Sequence, residues 1–219
     1  MIINTYPINP LYAPYNNHYL NRLKQTLDFA LTIHPRTLAV ILILRYPDYL
    51  DNGDSIQHSP NMGQGVFSRF IESLNAKMLA YQRRKKLAGK RVYHCKVNYS
   101  WVKEWTTEGK PHYHAVLYFN HDTFFNLGNL RRSNNLGSFI QEAWCSALSI
   151  NSGQEYSTLV HFPENSLYIL NINYPYFDQT YQDLLLRLSY FAKERSKIYN
   201  KQERTFGSSR IRNHFEYRL

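Results

Sequence analysis

The sequence has few cysteines, no long apolar run and a shortage of acidic residues. Its two cysteines, Cys95 and Cys145, form no Cys-x-x-Cys motif, which argues against a thiolate metal site and indicates buried free thiols in a reducing compartment. The longest apolar run, residues 38–44, is far too short to span a bilayer. The N-terminus opens with asparagine, proline and tyrosine instead of a basic segment and an apolar core, so we expect no secretory signal, no membrane partner and a cytoplasmic protein.

The shortage of acidic residues leaves the chain strongly basic. Lysine and arginine number 26 against 16 aspartates and glutamates, which gives a formal net charge of +10 and a pI near 9.5. Such a charge favours a polyanionic partner, above all nucleic acid. The 19 tyrosines offer flat surfaces on which unpaired bases could stack, although many of them will belong to the core or the sheet.

Helical and strand patterns alternate along the chain in an order that predicts an α+β fold. The patterns predict helices at about 17–33, 66–86, 138–148 and 178–199, and strands at about 37–46, 91–105, 111–119, 158–162 and 167–171. From the first strand onward this is the β-α-β-β-α-β order of the split βαβ topology, a central antiparallel sheet of the ferredoxin-like or RRM-like kind with flanking helices. In that topology the first and third strands are central, and we expect the helices on one face.

The length of the chain fits one domain with a full core. We expect a single domain over residues 1–219, with a core at about 35–200, an N-terminal helix at about 17–34 and a basic tail at about 201–219.

Two histidines in one predicted strand form the most informative motif. His112 and His114 are two residues apart, so a strand aims both imidazoles to the same face. Such a pair binds a divalent metal ion where a third ligand meets it, and is otherwise a solvated histidine pair. Glu104 stands across a tight turn in the preceding strand. A hairpin closing at residues 107–109 puts Glu104 opposite His112 or His114, with Cβ atoms roughly 5 Å apart.

Two imidazoles and a carboxylate predict a three-ligand metal site formed by Glu104, His112 and His114. These ligand types suit Mn²⁺ or Mg²⁺ better than zinc, since no thiolate is near. Odd positions of the hairpin are mostly apolar and even positions mostly polar, so we expect the odd face to carry the core. The even face should stay partly open, with Lys96, and with less support Lys103, available to a single strand of DNA.

The predicted helix at 178–199 carries a second motif. Its apolar stripe, expected to pack on the sheet, is Tyr181, Leu184, Leu188 and Phe191. Tyr190 and Lys193 are three residues apart on a neighbouring face, with Lys197 one turn further on. A tyrosine beside a fixed cation suits a nucleophile that forms a phosphotyrosine, whereas the alternative is an ordinary edge of an amphipathic helix.

In this order the two motifs resemble those of the HUH endonucleases, which carry His-hydrophobe-His followed by Tyr-x-x-Lys. The runs His112-Tyr113-His114 and Tyr190-Phe-Ala-Lys193 match them, with a bulky tyrosine at the middle position of the first. Together with Glu104 and the run at 204–210, they are similar to the inovirus type of replication protein and to the related YagK/YfjJ domain of prophages. The similarity spans roughly residues 35–210.

The resemblance implies that the chain is a single HUH endonuclease domain that nicks one DNA strand at an origin. Tyr190 would form a 5′-phosphotyrosine link, Lys193 would stabilise the transferred charge, and the free 3′-OH would prime rolling-circle replication. The implied partners are single-stranded DNA and a host helicase. Glu194 stands one turn after Tyr190, where some relatives carry a second tyrosine, so we expect a single-tyrosine enzyme.

Two other functions fit the same residues. One is a module that binds single-stranded nucleic acid without cutting it, and the other is an HUH transposase-like or relaxase-like strand transferase of a mobile element. Metal-dependent nicking of a single-stranded oligonucleotide separates the first from an endonuclease. The candidate phosphate contacts are the basic clusters at 83–86 and 131–132, with Arg204, Arg210 and Arg212.

Overall fold

The polypeptide alternates between helices and strands along most of its length. The computed structural model describes residues 6–47, 60–150, 158–195, 197–199 and 203–211. The helices are α1 (Asn17–Ile33), α2 (Val66–Leu87), α3 (Leu136–Ala147) and α4 (Phe177–Ser189). The strands are β1 (Arg36–Arg45), β2 (Asn98–Trp105), β3 (Pro111–Asn120), β4 (Val160–His161), β5 (Leu167–Asn171) and β6 (Phe206–Ser208). Short 3-10 helices at Pro10–Tyr12 and Tyr190–Ala192 lie before α1 and after α4.

The strands form one six-stranded antiparallel sheet. Its order is β4-β1-β3-β2-β6, and β5 also pairs with β1. The first and third strands therefore lie side by side in the interior, paired along nearly their whole length. β4 and β5 pair successive stretches of the same edge of β1. The α+β class and the antiparallel sheet are thus as predicted.

A tight turn between β2 and β3 sets the register of the hairpin. The backbone N–H of Thr106 donates to the carbonyl of Lys110, and that of Gly109 donates to the carbonyl of Thr106, both at 2.9 Å. Gly109 has a φ of +77°, a left-handed conformation that glycine adopts without steric cost. In the resulting register Glu104 stands opposite His112, and Val102 stands opposite His114.

Helices cover both faces of the sheet, so the prediction of helices on one face is wrong. Alternate residues of β3 point to opposite faces, and its odd positions pack with α2 and α3 while Val116 and Tyr118 pack with α1 and α4. α1 must bury its own apolar stripe, of which Leu23 and Leu27 are fully enclosed. The even face is therefore closed over Val116 and Tyr118, while His112 and His114 stay partly exposed.

α4 begins and ends elsewhere than predicted. Its first residue is Phe177, with Asp178 in the first turn instead of at the N-cap, and its last is Ser189. The helix stops because the N-terminal segment takes over its hydrogen bonds: Asn16 N–H donates to the Ala192 carbonyl at 2.8 Å, and Glu194 N–H donates to the Pro14 carbonyl at 3.0 Å. The predicted stripe does pack inward, with Leu184, Leu188 and Phe191 all buried.

The edges of the β2 side also differ from prediction. Residues 91–97 precede β2 without forming a strand. The predicted tail contributes β6, which pairs with the outer edge of β2. Gly207 makes this close approach possible, because a Cβ there would lie 2.5 Å from the Trp101 ring. Within the described residues, no helix has both the length and the apolar composition needed to cross a bilayer.

Candidate active site

The carboxylate and the two imidazoles predicted from the sequence converge at the β2–β3 hairpin. Glu104, His112 and His114 each bring one ligand atom to within 4.8 Å of the others. Nε2 of His114 lies 3.1 Å from Nε2 of His112 and 3.5 Å from Oε2 of Glu104. Adjacent ligands of an octahedral magnesium ion are about 3 Å apart. The three groups therefore have the spacing needed to hold one metal ion together.

Both histidines are in the protonation state that a metal ligand requires. Burial lowers the pKa of His114 to about 4, with Glu104 opposing the shift. Burial also lowers the pKa of His112, again against the effect of Glu104. Neutral imidazoles keep a nitrogen lone pair at neutral pH, and that lone pair is what binds a metal ion.

Two lysines supply the charge that the buried carboxylate needs. The residue Glu104 is only 2% exposed, and a carboxylate so deeply buried is costly unless it is paired. Nζ of Lys193 lies 3.3 Å from Oε2, and Nζ of Lys197 lies 3.2 Å from Oε1. Lys197 also donates to the backbone carbonyl of Lys193. The Glu104 side chain is thus fixed through both of its oxygens, and Oε2 is the oxygen that faces His114.

Tyr190 lies against the same cluster. Its ring centroid is 5.5 Å from that of His114, and Nζ of Lys193 is 3.4 Å from the Tyr190 ring centroid. The two residues come together through a 3-10 turn instead of the predicted α-helix, since side chains three apart eclipse in that geometry. The structure therefore brings Tyr190 and Lys193 to the three predicted ligands, and the tyrosine remains half-buried.

The N-terminal segment before α1 holds Tyr190 from another side, and sequence reasoning missed it. Tyr12 packs edge-on against Tyr190, with ring centroids 5.2 Å apart. Tyr15 forms an antiparallel β-bridge with Lys193. The only signal for this contact is the recurrence of tyrosine and proline between residues 6 and 15, which has no period and predicts no partner.

Two cavities open on the cluster, one at each histidine. A cavity of about 500 Å³ reaches His114 and Tyr190 and is also lined by Tyr12, Tyr168 and Arg187. A second, of about 580 Å³, reaches His112, and its lining includes the basic residues Arg45, Lys103 and Lys110. Each histidine of the cluster is therefore reached from a separate cavity.

The other predicted contacts are scattered. Lys103 is buried on the α2 side and pairs with Glu203, as its odd position implies. Lys96 and Arg210 line a different cavity with His34 and His94, at the end of the sheet where β3 finishes. Arg204 lines another, beside Trp101. The cluster at 83–86 closes α2, the pair at 131–132 lies exposed before α3, and Arg212 lies outside the described residues.

Comparison with known proteins places this site within a family. The profile of the YagK/YfjJ C-terminal domain matches residues 4–209. The chain belongs to the YagK/YfjJ family. Two members come from Escherichia coli (strain K12): YagK is 42% identical over 193 residues, which is 88% of this chain and 92% of YagK. YfjJ is 36% identical over 200 residues, which is 88% of this chain and 93% of YfjJ.

Both of these YagK/YfjJ members are described as uncharacterized proteins. No solved structure matches the chain. The YagK/YfjJ match spans every element of the candidate site, from the segment that carries Tyr12 to the strand β6.

Proposed function

We propose that the chain is an HUH-type endonuclease that cuts one strand of unpaired DNA with Tyr190 as the nucleophile. Glu104, His112 and His114 would hold its divalent cofactor, Mn²⁺ or Mg²⁺. The observation that carries the proposal is the contact of Tyr190 with both His114 and Lys193. The strand order β4-β1-β3-β2 supports it, because this order is the one expected for a split βαβ arrangement, and the histidines lie on an interior strand.

In the proposed reaction, the three ligands and the residues of the 3-10 turn have different roles. Glu104, His112 and His114 would hold a metal ion, which would supply positive charge to the scissile phosphate. The Tyr190 oxygen forms a new bond to phosphorus as the bond to the 3′-oxygen breaks. The tyrosine proton passes to solvent, and the 3′-oxygen takes up a proton. Lys193 stabilises the negative charge that passes between the phenol oxygen and the phosphate, since its ammonium group already lies at the ring.

The proposed reaction conserves the number of phosphoester bonds. It therefore needs no nucleoside triphosphate, and the later attack of a 3′-OH on the phosphotyrosine can reverse it. Through the family resemblance, we place the reaction at the origin of a phage, prophage or plasmid-like element, where the released 3′-OH primes rolling-circle replication. A host helicase would expose the single strand, since in-line attack is hard to reach within a duplex.

The burial of Glu104 separates this proposal from a module that only binds single strands. Such a module has no use for a carboxylate that is 2% exposed and enclosed by two lysines and two histidines. Buried charges are costly, and clusters of them are typical of sites that perform chemistry. Cleavage explains this arrangement, whereas stacking and phosphate binding alone do not.

The test is covalent capture of DNA. The purified chain is incubated with single-stranded oligonucleotides that tile its own genetic neighbourhood, with Mn²⁺, Mg²⁺ or EDTA, and analysed on denaturing gels. We expect a protein–DNA adduct that requires the metal and disappears in Tyr190→Phe, because only the hydroxyl is removed. Tyr176→Phe, at a tyrosine that is 78% exposed, is the matched control and should form adducts normally.

Two outcomes would contradict the proposal. Adducts that persist in Tyr190→Phe would move the nucleophile to another tyrosine, of which Tyr199 is the next in the chain. Binding of every fragment without any adduct would favour the non-cleaving module.

A further inference from the structure

The cavity beside Tyr190 has features that the cleavage chemistry leaves unexplained. Its volume of about 500 Å³ lies within the range of about 300–1,000 Å³ typical of small-ligand pockets. Tyr190 and His114 form part of its wall. The rest of the wall combines aromatic with polar side chains, including Tyr12, Tyr168, Phe191, Asn9, Asp183 and Arg187. The reaction at the phosphate uses none of these six.

α4 and the 3-10 turn after it line this cavity with side chains from successive turns. Asp183, Arg187 and Tyr190 follow one another at helical spacing and all line it. Arg187 donates from Nη2 to the carbonyl of Glu164 at 3.2 Å, which ties its guanidinium to the loop between β4 and β5. The cavity therefore has a held cation at its wall and the proposed nucleophile at one end.

The aromatic side chains come from three different elements. Tyr12 belongs to the N-terminal segment, Tyr168 to β5, and Phe191 to the 3-10 turn after α4. Phe191 packs beside His114, with ring centroids 5.9 Å apart. Burial raises the pKa of Tyr168, and the charge of Arg187 opposes that shift, so the phenol lies within the field of the guanidinium. Rings and a cation in one cavity suit a base and its phosphate.

We propose that this cavity binds one unpaired DNA nucleotide, the neighbour of the cleaved phosphate, with its base against Tyr12 and Tyr168 and its phosphate near Arg187. The proposal rests on the proposed function. A strand whose phosphate reaches Tyr190 must lay a neighbouring nucleotide over this opening, because Tyr190 and His114 are part of the cavity wall. The net charge of +10 favours a polyanion over a neutral or cationic ligand.

The experiment compares DNA with and without bases. Two fluorescein-labelled single strands of about 12 nucleotides, within the site sizes of single-strand binding proteins, are used as probes: one of mixed sequence and one built entirely of abasic sugars. Binding is measured by anisotropy with full-length Tyr190→Phe protein, so that cleavage plays no part. The added substitutions are Tyr12→Ala and Tyr168→Leu. Tyr176→Ala is the control, an exposed tyrosine outside the cavity.

We expect Tyr12→Ala and Tyr168→Leu each to weaken binding of the mixed-sequence strand by about tenfold, as the loss of one stacked base does. Neither change should affect the abasic strand, and Tyr176→Ala should affect neither probe. Tyr168→Phe should restore binding, since the ring remains. Arg187→Gln should weaken both probes by a similar, smaller factor, because it contacts phosphate.

The result that overturns the proposal is an equal loss on both probes, or no loss on either. Tyr12 is partly exposed and lies outside both core clusters, so Tyr12→Ala decides the question if Tyr168→Leu does not fold. Failure of the cleavage proposal is read separately, from the absence of adducts with the intact Tyr190.

Discussion

At the hairpin end of the central sheet, neighbouring residues of the same strand lie in different surroundings on the two faces. On the side of α2 and α3, aromatic rings pack on one another. The ring centroids of Trp101 and Tyr113 are 5.3 Å apart, and those of Tyr113 and Trp144 are 6.0 Å apart. On the other side, the positions next to Tyr113 are His112 and His114. A step of one residue along a strand therefore leads from an apolar core to a cluster of charged groups and candidate metal ligands.

The contrast between the two faces indicates that the residues that stabilise the fold are separate from those of the candidate site. The aromatic face stabilises the fold by removing apolar surface from water. The charged cluster contributes little to the stability of the fold. The ion pairs of Glu104 with Lys193 and Lys197 mainly offset the free-energy cost of removing the carboxylate from water. A rigid core on one face can thus hold a costly site on the other in a fixed geometry.

The largest effect on the charged face should come from Glu104→Ala. We expect it to lose metal-dependent cleavage as severely as His112→Ala or His114→Ala, because a three-ligand site short of one ligand loses geometry as well as affinity. The free energy of unfolding should also fall, since two buried lysines lose their carboxylate. Calorimetric titration with Mn²⁺ and thermal melting measure the two effects.

The isosteric change Glu104→Gln is the control for this experiment. Glu104→Gln should lose metal affinity, but its free energy of unfolding should fall less than that of Glu104→Ala, because the amide keeps the shape of the side chain and one acceptor oxygen. Unchanged metal affinity in Glu104→Ala would remove this residue from the ligand set.

On the aromatic face, Trp144→Ala should act on the fold alone. Trp144 is fully buried and its Nε1 donates to the Arg45 carbonyl at 2.7 Å. We expect the free energy of unfolding, measured with urea, to fall by about 3–5 kcal/mol. Adduct formation per folded molecule should remain. A folded Trp144→Ala protein that forms no adducts would mean that the two faces are coupled.

A smaller effect is expected for Lys197→Met, which removes a charge that supports a ligand. The Lys197 side chain is fully buried and holds Oε1 of Glu104. Loss of such an outer partner typically lowers metal affinity by about 10–100-fold. Methionine fills a similar space, so the protein should remain folded by circular dichroism. Equal metal affinity in Lys197→Met and the parent chain would show that Lys193 alone positions the carboxylate.

The smallest effect on DNA binding is expected for Arg45, which lines the cavity at His112. Arg45→Gln should weaken binding of a single-stranded oligonucleotide a few-fold and reduce the slope of its salt dependence by about one, as the loss of one phosphate contact does. Arg36→Gln is the control, because Arg36 lies at the other end of β1 and pairs with Asp122. Equal salt slopes for the two variants would place the DNA elsewhere.

The contacts predicted correctly are those set by local patterns. The period of two in β2 and β3, with a turn between them, was enough to predict that Glu104 meets the histidines. Tyr190 and Lys193 were also predicted to lie together, and they do, because both a 3-10 turn and an α-helix bring residues three apart to the same side. Local spacing was therefore sufficient to predict which of these side chains lie together.

The parts that were missed depend on distant residues. α4 ends where it does because the backbone of residues 14 and 16 bonds to residues 194 and 192, and no periodicity in α4 carries that information. α1 was treated as an addition at the N-terminus, yet it covers the second face of the sheet. β6 was assigned to a basic tail because a three-residue strand is too short to show a period.

The β-bridge between Tyr15 and Lys193 joins two segments that are far apart in the sequence. Contacts so distant in sequence form late in folding, since the chain between them must first be ordered. During synthesis the hairpin that carries the histidines emerges before the residues around Tyr190, which precede Lys193 directly. In the proposed endonuclease, the complete site should therefore form only after the residues around Lys193 have been synthesised.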